Sequence, residues 1–455
     1  PNTILWNEGG LTFRTERLSR GDSRAVNVVD VDGDGWQDIV FTHRTSPPSF
    51  WRNTGRDTDT ASFEELWLPD VDQRAYAMTW GDVDGDGDLD IVSASYDAAL
   101  EKDLGYDFMR FRSGGGVYYY ENIDAAFVGH HLAERSQALA IALPDFNQDG
   151  KADILIGNDF DMPDQAWQQQ GREWVEVAPF ASTSHSTMSF DLGDIDNNGT
   201  LELFATDMKP YGTDIKTHGE WRPMMARMPH ETFIGDPQTM ENVLQIRDSA
   251  GRFHNQAYQR SLDATGWSWS GKFGDLNNDG FLDLYVVNGM LAADLFDYLP
   301  GNELIEQNQV FVNDGSGHFT RTSKWGLDST ASGRGMSMAD LDNDGDLDIV
   351  VNNLHSPAIL FENQLCGGAS IEVDLLWPES KNTRGLGSRL VLRTSSGAYY
   401  RDVRASSGYL SGDPARVHFG FAPGTELYRL EIHWPDGQVS SVEDVAEHTL
   451  VTITR

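Results

Sequence analysis

A nine-residue run of acids around one glycine, met six times, restricts this chain more than any other feature. Its fullest copy is Asp340-Leu-Asp342-Asn-Asp344-Gly345-Asp346-Leu-Asp348, followed by the apolar run Ile349-Val350-Val351. The others begin at Asp30, Asp82, Asp145, Asp194 and Asp275, with Gly35, Gly87, Gly150, Gly199 and Gly280 in the sixth place. Side chains at positions 1, 3, 5 and 9 offer a dense set of hard oxygens, which suits Ca2+ with its about six to eight oxygen ligands. The glycine lets the backbone turn where a side chain would clash. An EF-hand opens the same way but needs a bidentate Glu at position 12 and a helix after it. Position 12 here is Phe41, Ser93, Ile156, Ala205, Val286 and Val351, each inside a β-like apolar run. The EF-hand reading fails in all six copies.

The candidate metal ligands are therefore Asp30, Asp32, Asp34 and Asp38; Asp82, Asp84, Asp86 and Asp90; and Asp145, Asn147, Asp149 and Asp153. They continue with Asp194, Asp196, Asn198 and Glu202; Asp275, Asn277, Asp279 and Asp283; and Asp340, Asp342, Asp344 and Asp348. The fourth copy departs from the pattern, with Asn198 and Glu202 in place of Asp.

Loop starts lie 52, 63, 49, 81 and 65 residues apart. An apolar strand leads into each loop and a second leaves it, as in Ala138-Leu-Ala-Ile141 and Ile154-Leu-Ile156. A third strand ends in an Asn-Gly-like turn and a fourth often opens with Phe, as in Val310-Phe-Val-Asn313-Asp-Gly-Ser-Gly317-His-Phe319. These are hairpin signals. Four strands in roughly 50 residues, repeated, match a blade of a β-propeller. Thr3-Ile-Leu-Trp6-Asn7 to Phe13 reads as the third and fourth strands of a blade without its own loop, and Ala358 to Asn363 as a further third strand. Seven blades are favoured, with the N-terminal strands closing the ring; six is the alternative.

After Asn363 the pattern changes. Gly367-Gly368 reads as a hinge, so the expected domains are 1–366 and 367–455. Alternating strands such as Ile371-Glu-Val373-Asp-Leu375 and Tyr428-Arg-Leu430-Glu-Ile432 then predict a small β-sandwich-like domain, and the fold class is all-β. The loops and flanking strands resemble the FG-GAP and VCBS repeats, whose propellers include the integrin α-subunit head. That resemblance adds the position-7 carbonyls of Trp36, Asp88, Lys151, Thr200, Phe281 and Asp346 as Ca2+ ligands. Asn382-Thr-Arg384-Gly-Leu-Gly387, Gly408-Tyr-Leu-Ser411, His418-Phe-Gly420 and Trp434-Pro-Asp-Gly437 resemble the ASPIC/UnbV domain, which caps FG-GAP repeats in the cartilage acidic protein family and its bacterial relatives.

The chain has 34 basic and 71 acidic residues, a net charge of −37, and 21 of those acids sit at the proposed ligand positions. Six bound Ca2+ would reduce the charge to −25. So acidic a chain is a poor partner for nucleic acid or anionic membrane. No apolar run reaches the length of a membrane-spanning helix. The single Cys366 allows no internal disulfide. With metal loops to staple the fold, a secreted or periplasmic location is the expectation, with a signal peptide already removed.

Few motifs carry chemistry. Gly266-x4-Gly271-Lys272-Phe273 misses the P-loop pattern, which needs Ser or Thr after Lys, and leads into a calcium loop as a strand. The outgoing strands end at equivalent positions in each blade, a geometry that places polar residues in a ring on one face. His43, Arg44, Asp159, Asp207, Lys209 and His355 are the candidates there for an axial site; strand-end capping is the structural reading. The insertion Met208–Met240 carries Met224, Met225, Met228, His218 and His230, a set that could take a transition metal such as Cu(I), or serve packing. Two functions follow. The first is a calcium-stabilised binding or adhesion module for an extracellular protein or glycan. The second is a carbohydrate-active lyase, dehydratase or hydrolase with metal assistance at the axis, where His43 or His355 serves as acid or base.

Overall fold

The structure, a computed structural model, describes residues 2–19, 21–55, 62–98, 100, 115–160, 162–227, 235–291, 293–365 and 367–455. Cys366, Met228, His230 and most of the segment between Asp97 and Gly116 lie outside the described residues. The described chain is almost wholly β. It opens with a hairpin of β1 (Asn2–Asn7) and β2 (Phe13–Ser19), and repeat 1 follows as β3 (Ser23–Val29), β4 (Asp38–His43), β5 (Ser49–Asn53) and β6 (Phe63–Trp67), hydrogen-bonded in that order. Repeats 2 to 5 are antiparallel sheets of the same meander form, with first strands Ala77–Gly81, Ala138–Ala142, Ser189–Gly193 and Gly266–Gly274. Repeat 6 has three strands, Gly333–Ala339, Asp348–Asn353 and Ile359–Phe361.

Each acidic loop joins the first strand of a repeat to the second. The first strands of successive repeats touch in series from repeat 1 to repeat 6, so the sheets stand side by side around an axis in a propeller-like array. Their composition explains the position. Ala-Met-Thr-Trp-Gly and Ala-Leu-Ala-Ile-Ala are apolar or small on both faces, and every residue of both strands is buried. Between repeats, interleaved apolar layers form, such as Phe204, Phe273, Leu284 and Phe311.

Residues 369–455 fold into two sheets. Ala369–Leu376 pairs antiparallel with Val417–Phe421 and parallel with Thr449–Thr454, and the second sheet runs Gly397–Asp402, Arg389–Thr394, Leu427–His433, Val439–Glu443. Leu390, Leu392, Phe419, Phe421, Leu430 and Ile432 fill the space between them, in a core continuous with Trp80 and Ile91 of repeat 2. The expected hinge is a correction. A Cβ on Gly367 would lie 1.9 Å from Asn277 O, and one on Gly368 1.8 Å from Asn278 O. The two glycines let the backbone press against loop 5, which fixes the link rather than freeing it.

The C-terminal domain also sends residues 404–413 into the axis. Ser406 Oγ donates to Thr79 Oγ1 (2.7 Å), Gly408 N to Phe190 O (2.8 Å) and Tyr409 N to Ser270 Oγ (3.1 Å), so the segment meets first strands of repeats 2, 4 and 5. Gly408 has φ +69°, and a Cβ there would come within 2.4 Å of Ser270 Oγ. Two ion pairs anchor the ends: Arg404 to Asp191 at 3.0 Å and Asp413 to Lys272 at 2.5 Å. Lys272, part of the near-P-loop stretch, is a fully buried strand residue whose charge is met by the C-terminal domain.

Candidate metal centres

One hydrogen-bond plan shapes all six acidic loops. The position-1 carboxylate accepts the N–H of the glycine at position 6: Gly35 to Asp30 (2.8 Å), Gly87 to Asp82 (3.1 Å), Gly150 to Asp145 (2.9 Å), Gly199 to Asp194 (2.7 Å), Gly280 to Asp275 (2.9 Å) and Gly345 to Asp340 (2.9 Å). These glycines have φ between +85° and +97°, where a side chain is strained. The position-5 side chain accepts the N–H of position 7, as Trp36 gives to Asp34 and Phe281 to Asp279. The position-9 carboxylate reaches back to the N–H of position 2: Val31 to Asp38, Val83 to Asp90, Phe146 to Asp153, Ile195 to Glu202, Leu276 to Asp283 and Leu341 to Asp348. Side-chain oxygens at both ends of each nonapeptide are thus folded inward by the backbone.

Convergence follows. Carboxylate oxygens of Asp30, Asp32 and Asp38 lie within 4.8 Å of one another, as do those of Asp82, Asp84 and Asp86, of Asp194, Asp196 and Glu202, and of Asp340, Asp342 and Asp344. Loop 4 is among them. Glu202 is one methylene longer than Asp, yet it meets the same N–H at 3.1 Å. In loops 3 and 5, Asn147 and Asn277 stand third and bond Asp149 and Asp279, both at 3.0 Å. Burial pushes the carboxyls up: Asp82, Asp153, Asp194 and Asp348 to about 6, Asp38 and Asp275 to about 7, Asp90 and Glu202 to about 8. Acidic neighbours in the same loop add to this. Asp88 and Asp346, at position 7, rise to about 7 and about 8, from burial first and then Asp86 or Asp344. Grouped hard oxygens that resist ionising beside one another fit a divalent cation, which would compensate the charge.

Sequence reasoning missed three parts of these centres. The fourth position is also left-handed, filled by Gly33, Gly85, Gln148, Asn197, Asn278 and Asn343, mostly the residue types that tolerate it. The third-strand asparagine is a second support: Asn53, Asn122, Asn313 and Asn363 each donate N–H to the position-9 carboxylate of their own repeat, at 2.7–3.0 Å. The third part is the C-terminal domain, which rests on the loops. Thr383 Oγ1 donates to Asp30 Oδ2 (2.7 Å), Lys381 Nζ to Asp32 O (3.3 Å), Asn382 N to Gly87 O (3.3 Å), and His418 Nε2 meets Gly345 O (3.2 Å).

The strand-end candidates are placed differently. Asp159 and Asp207 come together, buried, around Ser186: Asp207 accepts the N–H groups of His185 (2.9 Å) and Ser186 (3.1 Å), and Asp159 accepts from Tyr96 Oη (2.7 Å). Burial raises Asp159 to about 6 and Asp207 to about 8. His43 bonds Ser49 Oγ (3.0 Å), Arg44 donates to Ala98 O (3.0 Å), Lys209 pairs with Glu241 and Asp263, and His355 is an exposed turn residue with φ +60°. The axial space near them is filled by Tyr409, Trp267, Trp269, Met188 and Met208. The insertion closes this layer: α1 (Ile215–Met225), capped by Asp214, buries Trp221 and Met224 against it, while His218 stays exposed. Met224 therefore packs, while Met228 and His230 of the same set lie outside the described residues.

Two family models match this chain. FG-GAP-like repeat covers 30–93, 145–205 and 294–351, and ASPIC and UnbV covers 378–455. The chain is an FG-GAP repeat protein ending in an ASPIC/UnbV domain. Its distant relatives include cartilage acidic protein 1. The Xenopus tropicalis protein is 24% identical over 489 residues, 99% of this chain and 69% of its own length. The Mus musculus protein is 26% identical over 359 residues, 77% of this chain and 41% of its own, so the chain spans well under half of that relative. Among solved structures, the exotype rhamnogalacturonan lyase YesX is 12% identical with a TM-score of 0.40 over 99% of this chain and 76% of that one, a likeness too distant to bear on activity. Among the described residues no helix of the FG-GAP repeat protein is long and apolar enough to cross a membrane.

Proposed function

We propose that this FG-GAP repeat protein is a secreted or periplasmic binding module: a seven-bladed propeller stabilised by about six Ca2+, with domains at 1–366 and 367–455, that holds an extracellular protein or glycan. Its Ca2+ ligands are the side chains at positions 1, 3, 5 and 9 of each loop with the position-7 carbonyls, and the ions are structural. One observation carries the reading. Five of the acidic loops, all but the third, meet the C-terminal domain, which also fills the axis, so these centres are built into the scaffold and the opposite face is the one left for a partner. There the insertions leave Ile215, Leu291 and Ile305 exposed at 92%, 51% and 66%. It is on this face that the binding reading places the partner's contact.

The test is a panel of purified polysaccharides and extracellular matrix proteins in biolayer interferometry, with and without Ca2+. Saturable binding, lost in Ile215→Asp/Ile305→Asp while the calcium content holds, is the expected result. The reading fails if nothing in the panel binds and a polysaccharide is instead cleaved, in a reaction that Asp159→Ala or Asp207→Ala abolishes in folded protein. That pair, with His185 and Ser186 beside it, is the one feature that favours the enzyme alternative.

A further inference from the structure

Six residues before the first acid of each loop stand Arg24, Tyr76, Leu139, Met188, Trp269 and Arg334, one per repeat. Each lies in the amino-terminal half of a first strand or just before it, at the end away from the acidic loop. First strands surround the axis, so equivalent positions form a ring, and this ring closes on Tyr409 of the axial segment. Leu139, Met188 and Trp269 are buried in one layer with Tyr409, and Tyr76 packs on that layer. The Trp269 and Tyr409 ring centroids are 5.0 Å apart, and Tyr76 Oη is 3.5 Å from Tyr409 Oη. Arg334 lies over the face of Trp269, 4.0 Å from its centroid, and Arg24 over Tyr76 at 5.6 Å. Repeats 6 and 1 thus bring two guanidiniums to a ring that is otherwise apolar and aromatic.

The two are unequally satisfied. Arg24 keeps 29% of its side chain open and pairs with the exposed Asp22 at 2.8 Å, but its Nε is a buried donor without a partner. Arg334 is only 8% exposed. Its Nη1 donates to Ser332 Oγ (3.1 Å) and Gly333 O (2.7 Å) and its Nη2 to Met290 O (2.6 Å), all uncharged acceptors. Among the described residues no carboxylate pairs with it. Burial pulls its guanidinium down to about 10, and the groups acting against this are the phenols of Tyr409 and Tyr76. A buried charge is ordinarily met by an opposite one, because neutral oxygens and a ring face return only part of the lost hydration.

We propose that this axial ring is a seat for an organic carboxylate, held by Arg334 and Arg24 beside Tyr76, Trp269 and Tyr409. Charge sets the class. Among the described residues Asp22 is the one carboxylate paired with these two guanidiniums, which leaves a single positive charge. That suits a carboxylate better than a doubly charged phosphate, and the planar guanidinium matches it in shape. The aromatic and apolar members of the ring suit a ligand with a carbon body. Arg24, Tyr76 and Tyr96 are half-buried, so the approach is from the side of repeats 1 and 2. The seat is independent of the calcium assignment. It lies towards the face left for a partner, and small probes test it without one.

The experiment is isothermal titration calorimetry on the full chain in Ca2+ with glucuronate and benzoate, against glucuronamide, benzamide and sulfate. At least one carboxylate should bind saturably at one per chain, about tenfold or more tighter than its amide, and Arg334→Met and Arg24→Gln should each weaken it about tenfold or more. Urea midpoints give a second readout. Without probe, Arg334→Met should match or exceed the unaltered chain, because an uncompensated buried charge has been removed; with probe, only the unaltered chain should gain. A lowered midpoint in Arg334→Met without probe would assign that residue to the scaffold and overturn its part in the seat. No saturable binding by either carboxylate, or binding that survives both substitutions, overturns the proposal. Sulfate binding in place of the carboxylates overturns the ligand class. None of these results bears on the surface probed by Ile215→Asp/Ile305→Asp, so the seat and the wider binding reading fail separately.

Discussion

Asp413→Ala tests whether the axial segment holds the ring together or merely lies in it. Lys272 is fully buried, and its ammonium meets Asp413 Oδ1 at 2.5 Å and Met336 O at 3.3 Å. Burial pushes the Asp413 carboxyl up, but Lys272 overrides this and leaves it below its usual value. Removing one partner of a buried pair costs about 3–5 kcal/mol, because the remaining charge stays desolvated. Asp413 keeps 32% of its side chain open to solvent, which allows water to replace part of it and sets the cost near the lower end, about 3 kcal/mol. Asp413 also accepts from Met338 N (2.8 Å) and Ser407 Oγ (3.0 Å), adding about 1 kcal/mol. The total, about 4 kcal/mol, is a large part of an ordinary stability. Urea unfolding followed by tryptophan fluorescence reads it, since the Tyr409 ring stands edge-on to Trp269 with centroids 5.0 Å apart. Lys272→Met/Asp413→Leu should recover most of the loss, because an apolar pair replaces a buried ion pair at little cost. A single variant within about 1 kcal/mol of the unaltered chain, or a double variant no better than the single, would refute the latch.

Other outcomes follow from the same geometry. Each loop holding Ca2+ at a hundredfold excess over its Kd contributes about 2.7 kcal/mol, so chelation should lower Tm by about 10 °C or more in scanning calorimetry; an unchanged melt would sink the calcium assignment. Gly150 has φ +85° with no atom within 4 Å of a built Cβ, so Gly150→Ala should cost backbone strain alone, about 1–2 kcal/mol in urea unfolding. Burial lowers His418 to about 4, against about 6.5 when unfolded. Its contribution is complete above about pH 6.5 and is lost as pH falls towards 4, at about 1.4 kcal/mol per unit. His418→Gln should flatten that acid limb, read as the difference in urea midpoint between pH 7 and pH 4.5; a limb of unchanged slope would show that other groups make it.

Much of the repeat architecture was legible because it is periodic. The nonapeptides place a loop, an incoming strand and an outgoing strand each time, and Glu202 shows why a departure from the consensus is tolerated: its extra methylene still reaches the N–H of Ile195. The axial segment was not legible. Arg404-Ala-Ser-Ser-Gly-Tyr-Leu-Ser-Gly-Asp413 has the composition of a surface loop, and its partners Thr79, Phe190, Ser270 and Lys272 lie far away in sequence. Polar strand ends are ambiguous in sequence for a related reason. Asn158 Nδ2 bonds Pro163 O (3.0 Å), Asn288 Nδ2 bonds Thr265 O (2.8 Å) and Asn353 Nδ2 bonds Pro357 O (2.9 Å), local duties that a list of residue types does not separate from a ligand-facing ring. Gly367-Gly368 looked like freedom because glycine permits both looseness and close approach, and only the neighbouring carbonyls distinguish them.

The axial segment bears on how the protein is made. Residues 404–413 emerge from the ribosome after all six repeats, yet Asp191 and Lys272 inside those repeats each make an ion pair with that segment. The nascent ring must stay open at its centre, its inner charges wet, until the last domain arrives to be embraced. A chain broken off before Arg404 would keep every acidic loop and nearly every strand of the repeats, and still present its interior to chaperones and proteases as unfinished.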